Sequence, residues 1–374
     1  MNKTDPPLLI VTAGGTGGHI YPAQALIEEL LAKNFRVRVL TDARGLKYFN
    51  KIKSEVKLSI IASAALSKSN LIKMCIAIFK LIKGTVVSVF LILKERPKMI
   101  VGFGGYPTFP VILAATLLRK PILIHEQNGV LGRVNQLFAA RASIVACGVW
   151  PIELPKNVNA VDCGNPVRKS ILALKNSPYI PPGDYPLSIL VLGGSQASKI
   201  LSEVVPDALG LLPSKTLERL RVTHQARKED QNNVEEVYQK LGINAEVESF
   251  FVDIPRRINE AQLIISRAGA STIAEISVIG RPSILVPLKI ALRDEQTKNA
   301  LSLVDAKAAK MIPEDKLTSL KLKKEVHEFL MKPAKATGMA EAAYVCSKPH
   351  AAKKLLELVE SIISNKKEEL LSEK

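Results

Sequence analysis

Short apolar runs alternating with small-residue turns and helical periodicities dominate the chain. Residues 8–13 read as a buried strand, 14–19 as a tight turn, and Pro22 suits the first turn of a helix reaching about residue 33. Strands follow at 36–40, 99–103, 121–124 and 144–147, with helical spacing between them. A Pro-rich, polar stretch over 176–186 places a domain boundary within 160–186. A second series then begins, with strands at 188–192, 221–224, 246–250, 262–265 and 283–286. Strand–helix alternation of this kind predicts an α/β fold of two doubly wound, Rossmann-like domains. The expected division is 1–165, 166–345, and a C-terminal helix with a charged tail over 346–374.

The stretch 266–287 is the clearest unit. A strand runs into Ser266-Arg-Ala-Gly-Ala270, and Ser271 or Thr272 is placed to cap a helix. Ile273, Ile276 and Ile279 recur at helical spacing, and Gly280 with Pro282 ends it. A helix N-terminus at the carboxyl end of a parallel sheet presents unpaired N–H groups and suits a phosphate. Glu275, one turn in, is placed to bind vicinal ribose hydroxyls. An ordinary crossover with a dipole-compensating Glu would read the same way.

The turn Gly14-Gly-Thr-Gly-Gly-His19 invites a dinucleotide reading with Asp42 as the ribose acid, but the third glycine position is Ile20. His19, at the head of the helix, stands where a catalytic imidazole would stand, although a lone His is more often structural. Two further polar loops, 104–110 and 125–129, lie just beyond strand ends. Residues 71–93 are apolar but carry Lys73, Lys80 and Lys83; they fit either a core helix pair or a basic amphipathic surface docking on anionic lipid. No run reaches the ~18 uncharged apolar residues of a membrane span.

Composition narrows the classes. A chain of 374 residues with 47% hydrophobic content is folded protein. The count of 52 Lys and Arg against 35 Asp and Glu, a formal +17, favours an anionic partner: phosphorylated substrate, acidic membrane or nucleic acid. Only 5% of residues are aromatic and the lysines are dispersed, against a nucleic-acid surface. Four scattered cysteines show no metal-ligand spacing and suit a reducing compartment. The N-terminus shows no signal peptide.

Taken in order, the segments 14–19, 102–106, 125–128, 164–168, 193–196, 266–275 and 294–300 closely resemble the motifs of the MurG family, the UDP-N-acetylglucosamine:lipid I N-acetylglucosaminyltransferases of peptidoglycan synthesis. The resemblance covers about residues 8–360. It implies a GT-B architecture of two Rossmann-like domains facing across a cleft, with the nucleotide sugar mainly on the second domain and the lipid acceptor on the first. By motif, Ala270, Ser271, Thr272, Ile273, Ala274 and Glu275 would hold the uridine diphosphate, and Phe251 would meet the uracil through its backbone. Ser195 and Arg168 would contact the diphosphate, and Gln296 the sugar hydroxyls. Asn128 with Thr16, Gly17 and Gly18 would approach the sugar from the first domain. Gly104, Gly105, Tyr106, His125, Glu126 and Gln127 would line the acceptor site, and His19 would be the general base. Neither metal nor cofactor is implied. The implied partners are UDP-GlcNAc, lipid I, an anionic membrane surface and other cell-wall synthesis and division proteins, at the cytoplasmic face of the bacterial plasma membrane. Three departures stand out: Glu295 where His often precedes the Gln, Ala197 where Gly is usual, and Ala226 at a small polar or Gly position. Alternatives outside the family are a GT-B enzyme with another lipid acceptor such as diacylglycerol, a nicotinamide-dependent oxidoreductase and a basic nucleic-acid-binding protein.

Overall fold

The computed structural model describes residues 6–52, 54–64, 71–194, 197–289 and 292–372. The chain divides into two compact units, 1–168 with 350–374, and 169–349. Each is a parallel sheet, as buried β-branched runs joined by helical crossovers require.

In the first unit the strands are β1 (Leu8–Thr12), β2 (Arg36–Thr41), β3 (Lys57–Ile60), β4 (Met99–Gly102), β5 (Ile122–Glu126), β6 (Ile144–Cys147) and β7 (Ala160–Asp162). Their order is β3-β2-β1-β4-β5-β6-β7, every pair parallel. Chain direction across the sheet reverses between β1 and β4, so the turns leaving Thr12 and Gly102 flank the crevice where open α/β sheets bind ligands. Strand β3 has no counterpart among the expected strands; its residues, half-buried or exposed at the sheet edge, carry a weak pattern.

The second unit has β8 (Leu187–Leu192), β9 (Leu220–Gln225), β10 (Asn244–Glu248), β11 (Leu263–Ser266), β12 (Ser283–Leu285) and β13 (Ala309–Met311), in the order β10-β9-β8-β11-β12-β13. Its switch point lies between β8 and β11, beside Gly193-Gly194 and the turn 267–269.

The helix Ala351–Ser372 returns to the first unit. Leu355, Leu356 and Val359 are buried in the same core as Ile20, Leu26 and Ile27 of the Gly17–Ala32 helix. Pro22 lies in the second turn of that helix, not its first. With no N–H, it cannot donate the i→i−4 hydrogen bond of a regular helix from this position.

The apolar segment forms one 25-residue helix, Leu71–Glu95. By length and composition it could cross a membrane, lysines included, which the stricter criterion of an uncharged run had excluded. Its Ala77, Gly84, Ser88 and Ile92 are buried. A Cβ on Gly84 would stand 2.2 Å from the Ala62 carbonyl oxygen and 3.2 Å from Pro110, so the backbone itself docks there. Leu71, Ile72, Ile76, Phe79, Ile82, Val86 and Phe90 remain exposed.

Candidate active site

Two glycine turns meet at the first unit's switch point. A Cβ on Gly14 would stand 2.3 Å from Pro107, and one on Gly105 would stand 2.5 Å from the Gly14 oxygen. Gly104 and Gly105 both have positive φ, +86° and +83°. The turns therefore pack backbone against backbone, a contact only glycine permits. Asp42 Oδ1 accepts from Gly15 N (3.4 Å) and Gly45 N (2.9 Å), which ties the first turn to the end of β2. Asp42 is thus occupied in shaping the turn, unlike the ribose acid of a dinucleotide site. Thr16 is the exposed N-cap of the Gly17–Ala32 helix and makes no side-chain cap.

His19, half-buried, rests its ring against Gly104, whose missing Cβ would lie 3.3 Å from Cε1. Its Nδ1 is 2.9 Å from Gln127 Oε1. Gln127 Nε2 donates to the Phe103 carbonyl at 3.0 Å and lies 3.0 Å from His125 Nδ1. His125 Nε2 is 3.1 Å from the Gly164 carbonyl. Burial lowers the His125 pKa to about 4, against a partial lift from the Gly164 carbonyl, so the ring is neutral near pH 7. Glu126 receives Asn128 N and Nδ2 on Oε1, and Gly132 N and Asn135 Nδ2 on Oε2.

The expected acceptor residues therefore separate. His125, Glu126 and Gln127 are at most 1% exposed and bonded within the unit, because they finish a central strand rather than begin a surface loop. Tyr106, 38% exposed, and half-buried Asn128 face solvent. Arg168, the last residue of this unit, stacks its guanidinium over Tyr21 at 4.8 Å, which orients it beside the glycine turn's helix.

In the second unit β11 leads through Arg267-Ala268-Gly269 into the Ala270–Ile279 helix. The N-cap is Gly269, so Ser271 and Thr272 lie in the first turn rather than capping it. A glycine cap has no side chain with which to occupy the first amides, and no acidic residue stands in the first turn. The C-terminus matches the expectation: Gly280 is left-handed at φ 77°, and Gly280 N and Arg281 N both bond the Ile276 carbonyl. Ala270, Ile273 and Glu275 are buried, with Ser271, Thr272 and Ala274 half-buried.

The segment 294–300, expected at the sugar, also supports this turn. Gln296 Oε1 accepts from Ala268 N (3.2 Å) and Leu288 N (3.0 Å), and Asn299 Nδ2 donates to Ala268 O (3.1 Å). Arg267 pairs with Glu314 at 3.1 Å and donates to the Val286 carbonyl. Phe251, 5% exposed, lies under the Arg257 guanidinium at 4.1 Å. Arg257 is held in turn by Glu246 and Asp253, both kept below the usual carboxylate range by that cation. Ser195 lies outside the described residues. No group of three or more His, Cys, Asp or Glu suited to a metal occurs among the described residues.

Two parallel-sheet units with glycine turns and a glycine-led helix N-terminus at their switch points are what a GT-B fold is built from. The glycosyltransferase family 28 N-terminal domain matches residues 9–147 and the family's C-terminal domain matches 188–359. A UDP-N-acetylglucosamine--N-acetylmuramyl-(pentapeptide) pyrophosphoryl-undecaprenol N-acetylglucosamine transferase of Rhizobium meliloti is 42% identical over 366 residues, 96% of each chain. The protein of the same description from Brucella suis is 39% identical over 371 residues, 98% of this chain and 97% of that one. The crystal structure of Acinetobacter baumannii MurG superposes with a TM-score of 0.77 at 29% identity, over 95% of this chain and all of that one. The chain belongs to the MurG family of N-acetylglucosaminyltransferases.

Proposed function

We propose that this enzyme moves GlcNAc from UDP-GlcNAc to the 4-hydroxyl of the MurNAc residue of lipid I, giving lipid II. The observation that carries the reading is the glycine-led helix N-terminus of the second unit, whose cap has no side chain; the first unit by itself presents a glycine-cradled imidazole. The Ala270–Ile279 terminus supports the leaving diphosphate, with the Arg168 guanidinium as counter-charge, and so supplies what a metal ion would otherwise supply. Glu275 takes the ribose hydroxyls and Phe251 the uracil. Gln296 has its carbonyl committed to two loops and offers its amide nitrogen to the sugar. Asn128 and the Thr16–Gly18 segment approach the sugar, and Tyr106 the acceptor.

The acceptor oxygen attacks the anomeric carbon as its proton passes to His19. The C–O bond to UDP breaks with its electron pair on the phosphate oxygen. Single displacement inverts the centre, and the proton leaves the imidazole for solvent. Replacing His19 by Ala should cut kcat by roughly 10²–10⁴-fold while UDP-GlcNAc still raises Tm; near-normal turnover would remove the base.

The exposed face of the Leu71–Glu95 helix, edged by Lys73, Lys80, Lys83 and Lys94, is proposed to lie on the anionic cytoplasmic leaflet where the acceptor resides. Its opposite face is docked in the unit, which favours lying on the membrane over crossing it.

The deciding assay is transfer of labelled GlcNAc to a short-chain lipid I analogue in EDTA, with diacylglycerol as the competing acceptor. Product on the lipid I analogue alone supports the proposal. Product on diacylglycerol alone overturns the acceptor, and loss of transfer in EDTA overturns the metal-free chemistry.

A further inference from the structure

The hydrogen-bond chain behind His19 has a direction, and an acceptor at its far end sets it. The Gly164 carbonyl can only accept, so His125 Nε2, 3.1 Å away, carries the proton. The neutral His125 ring then has a bare Nδ1, which must accept. The group 3.0 Å from it is one end of the Gln127 amide. That end also lies 3.0 Å from the Phe103 carbonyl and 3.3 Å from the His125 carbonyl, neither of which can donate. Three acceptors around one atom identify it as the amide nitrogen, whichever way the side chain is first drawn. Its two hydrogens serve Phe103 O and His125 Nδ1. Gln127 Oε1 is left facing His19 Nδ1 at 2.9 Å, and an oxygen there requires a proton on that nitrogen.

We infer that Gln127, oriented by His125 and the Gly164 and Phe103 carbonyls, is a positioning residue that holds His19 as the Nδ1–H tautomer and presents Nε2 as the basic atom. This rests on the reading of His19 as the base. It also explains why Gln127 is sealed at 1% exposure beside a substrate site: water able to reach it could bond either tautomer and erase the preference. The partner is a neutral amide rather than a carboxylate. It orients the imidazole without placing a counter-ion at Nδ1.

The test is a long-range 1H–15N correlation on full-length protein labelled at histidine, at pH 8. The expected spectrum shows His19 protonated at Nδ1 and His125 protonated at Nε2. Gln127→Met keeps the volume and removes both hydrogen-bonding ends. It should mix the His19 tautomers and lower kcat on the lipid I analogue by about 10–100-fold, less than loss of the base itself. The KM for UDP-GlcNAc and the thermal shift it produces should stay unchanged. A wild-type His19 protonated at Nε2, or a Gln127→Met enzyme with unchanged tautomer and kcat, overturns the inference. If the variant does not fold, the wild-type spectrum decides alone. The two readings fail separately: turnover by His19→Ala removes the base, whereas the tautomer reports on Gln127.

Discussion

Ala197 follows the glycine turn of β8 in a left-handed conformation, φ 54°. An L side chain there meets its own carbonyl at a cost of about 1–2 kcal/mol that glycine does not bear. The strand-end turn around it is tight, since a Cβ on Gly193 would stand 2.3 Å from Ser198 N. The position where the family resemblance leads one to expect Gly is therefore one that needs Gly's backbone. Ala197→Gly should raise stability by about 1 kcal/mol despite the entropy it returns to the unfolded chain. Urea titration measures this; a loss of stability would show that the left-handed turn carries no strain. The same scale shows where sequence reading stopped short. Polar residues after a strand suggested ligand contact for His125, Glu126 and Gln127; in the fold His125 meets the Gly164 carbonyl, Gln127 the Phe103 carbonyl, and Glu126 the Gly132 and Asn135 amides. Nothing in a local pattern announces Gly164 as the partner of His125.

Among elements, the Leu71–Glu95 helix concentrates the unusual surface. Buried Ala77, Gly84, Ser88 and Ile92 recur at intervals of seven and four, a single stripe of mostly small residues. Phe79 and Phe90, 68% and 62% exposed, are not part of that stripe. An anchoring role requires these rings to contribute to lipid binding and not to folding. Phe79→Glu and Phe90→Glu should each weaken binding to anionic vesicles by roughly 10-fold or more, on the order of 1.5–3 kcal/mol per buried aromatic. Transfer to a soluble acceptor analogue should not change. Sedimentation with vesicles reads the first and the assay the second; equal vesicle binding by wild type and variants would remove the anchor. The lysine-broken periodicity made this helix visible in the sequence, but which face docks depends on Gly84 meeting Ala62, a contact set by tertiary packing.

Across the whole molecule, both switch points were legible because glycine-rich turns follow the strands beside them, β1, β4 and β8. The return of the Ala351–Ser372 helix to the first core was not, since amphipathic spacing specifies a buried face and not its partner. Each unit also buries one histidine in or at the end of its sheet, and together they set an acid limit on the fold. Burial lowers the pKa of His125 to about 4 and that of His224, bonded to Tyr238 at 2.9 Å, to about 3. An unfolded chain holds these rings at the ordinary 6.5. Between 6.5 and 4 the unfolded state therefore binds more protons than the folded one, so stability is full above 6.5 and falls as pH drops. Each unit should lose a few kcal/mol over that window. The carboxylates Glu246, Asp253 and Glu314, held low by their cationic partners, add their own loss only below about 4.5, which separates the two effects. Denaturant titrations at pH 7 and pH 5 should show the decline, and His224→Phe should flatten it for the second unit even though it costs stability at pH 7 by stranding the Tyr238 hydroxyl. An unchanged slope in His224→Phe would mean that the ring titrates in the folded state much as it does in the unfolded chain.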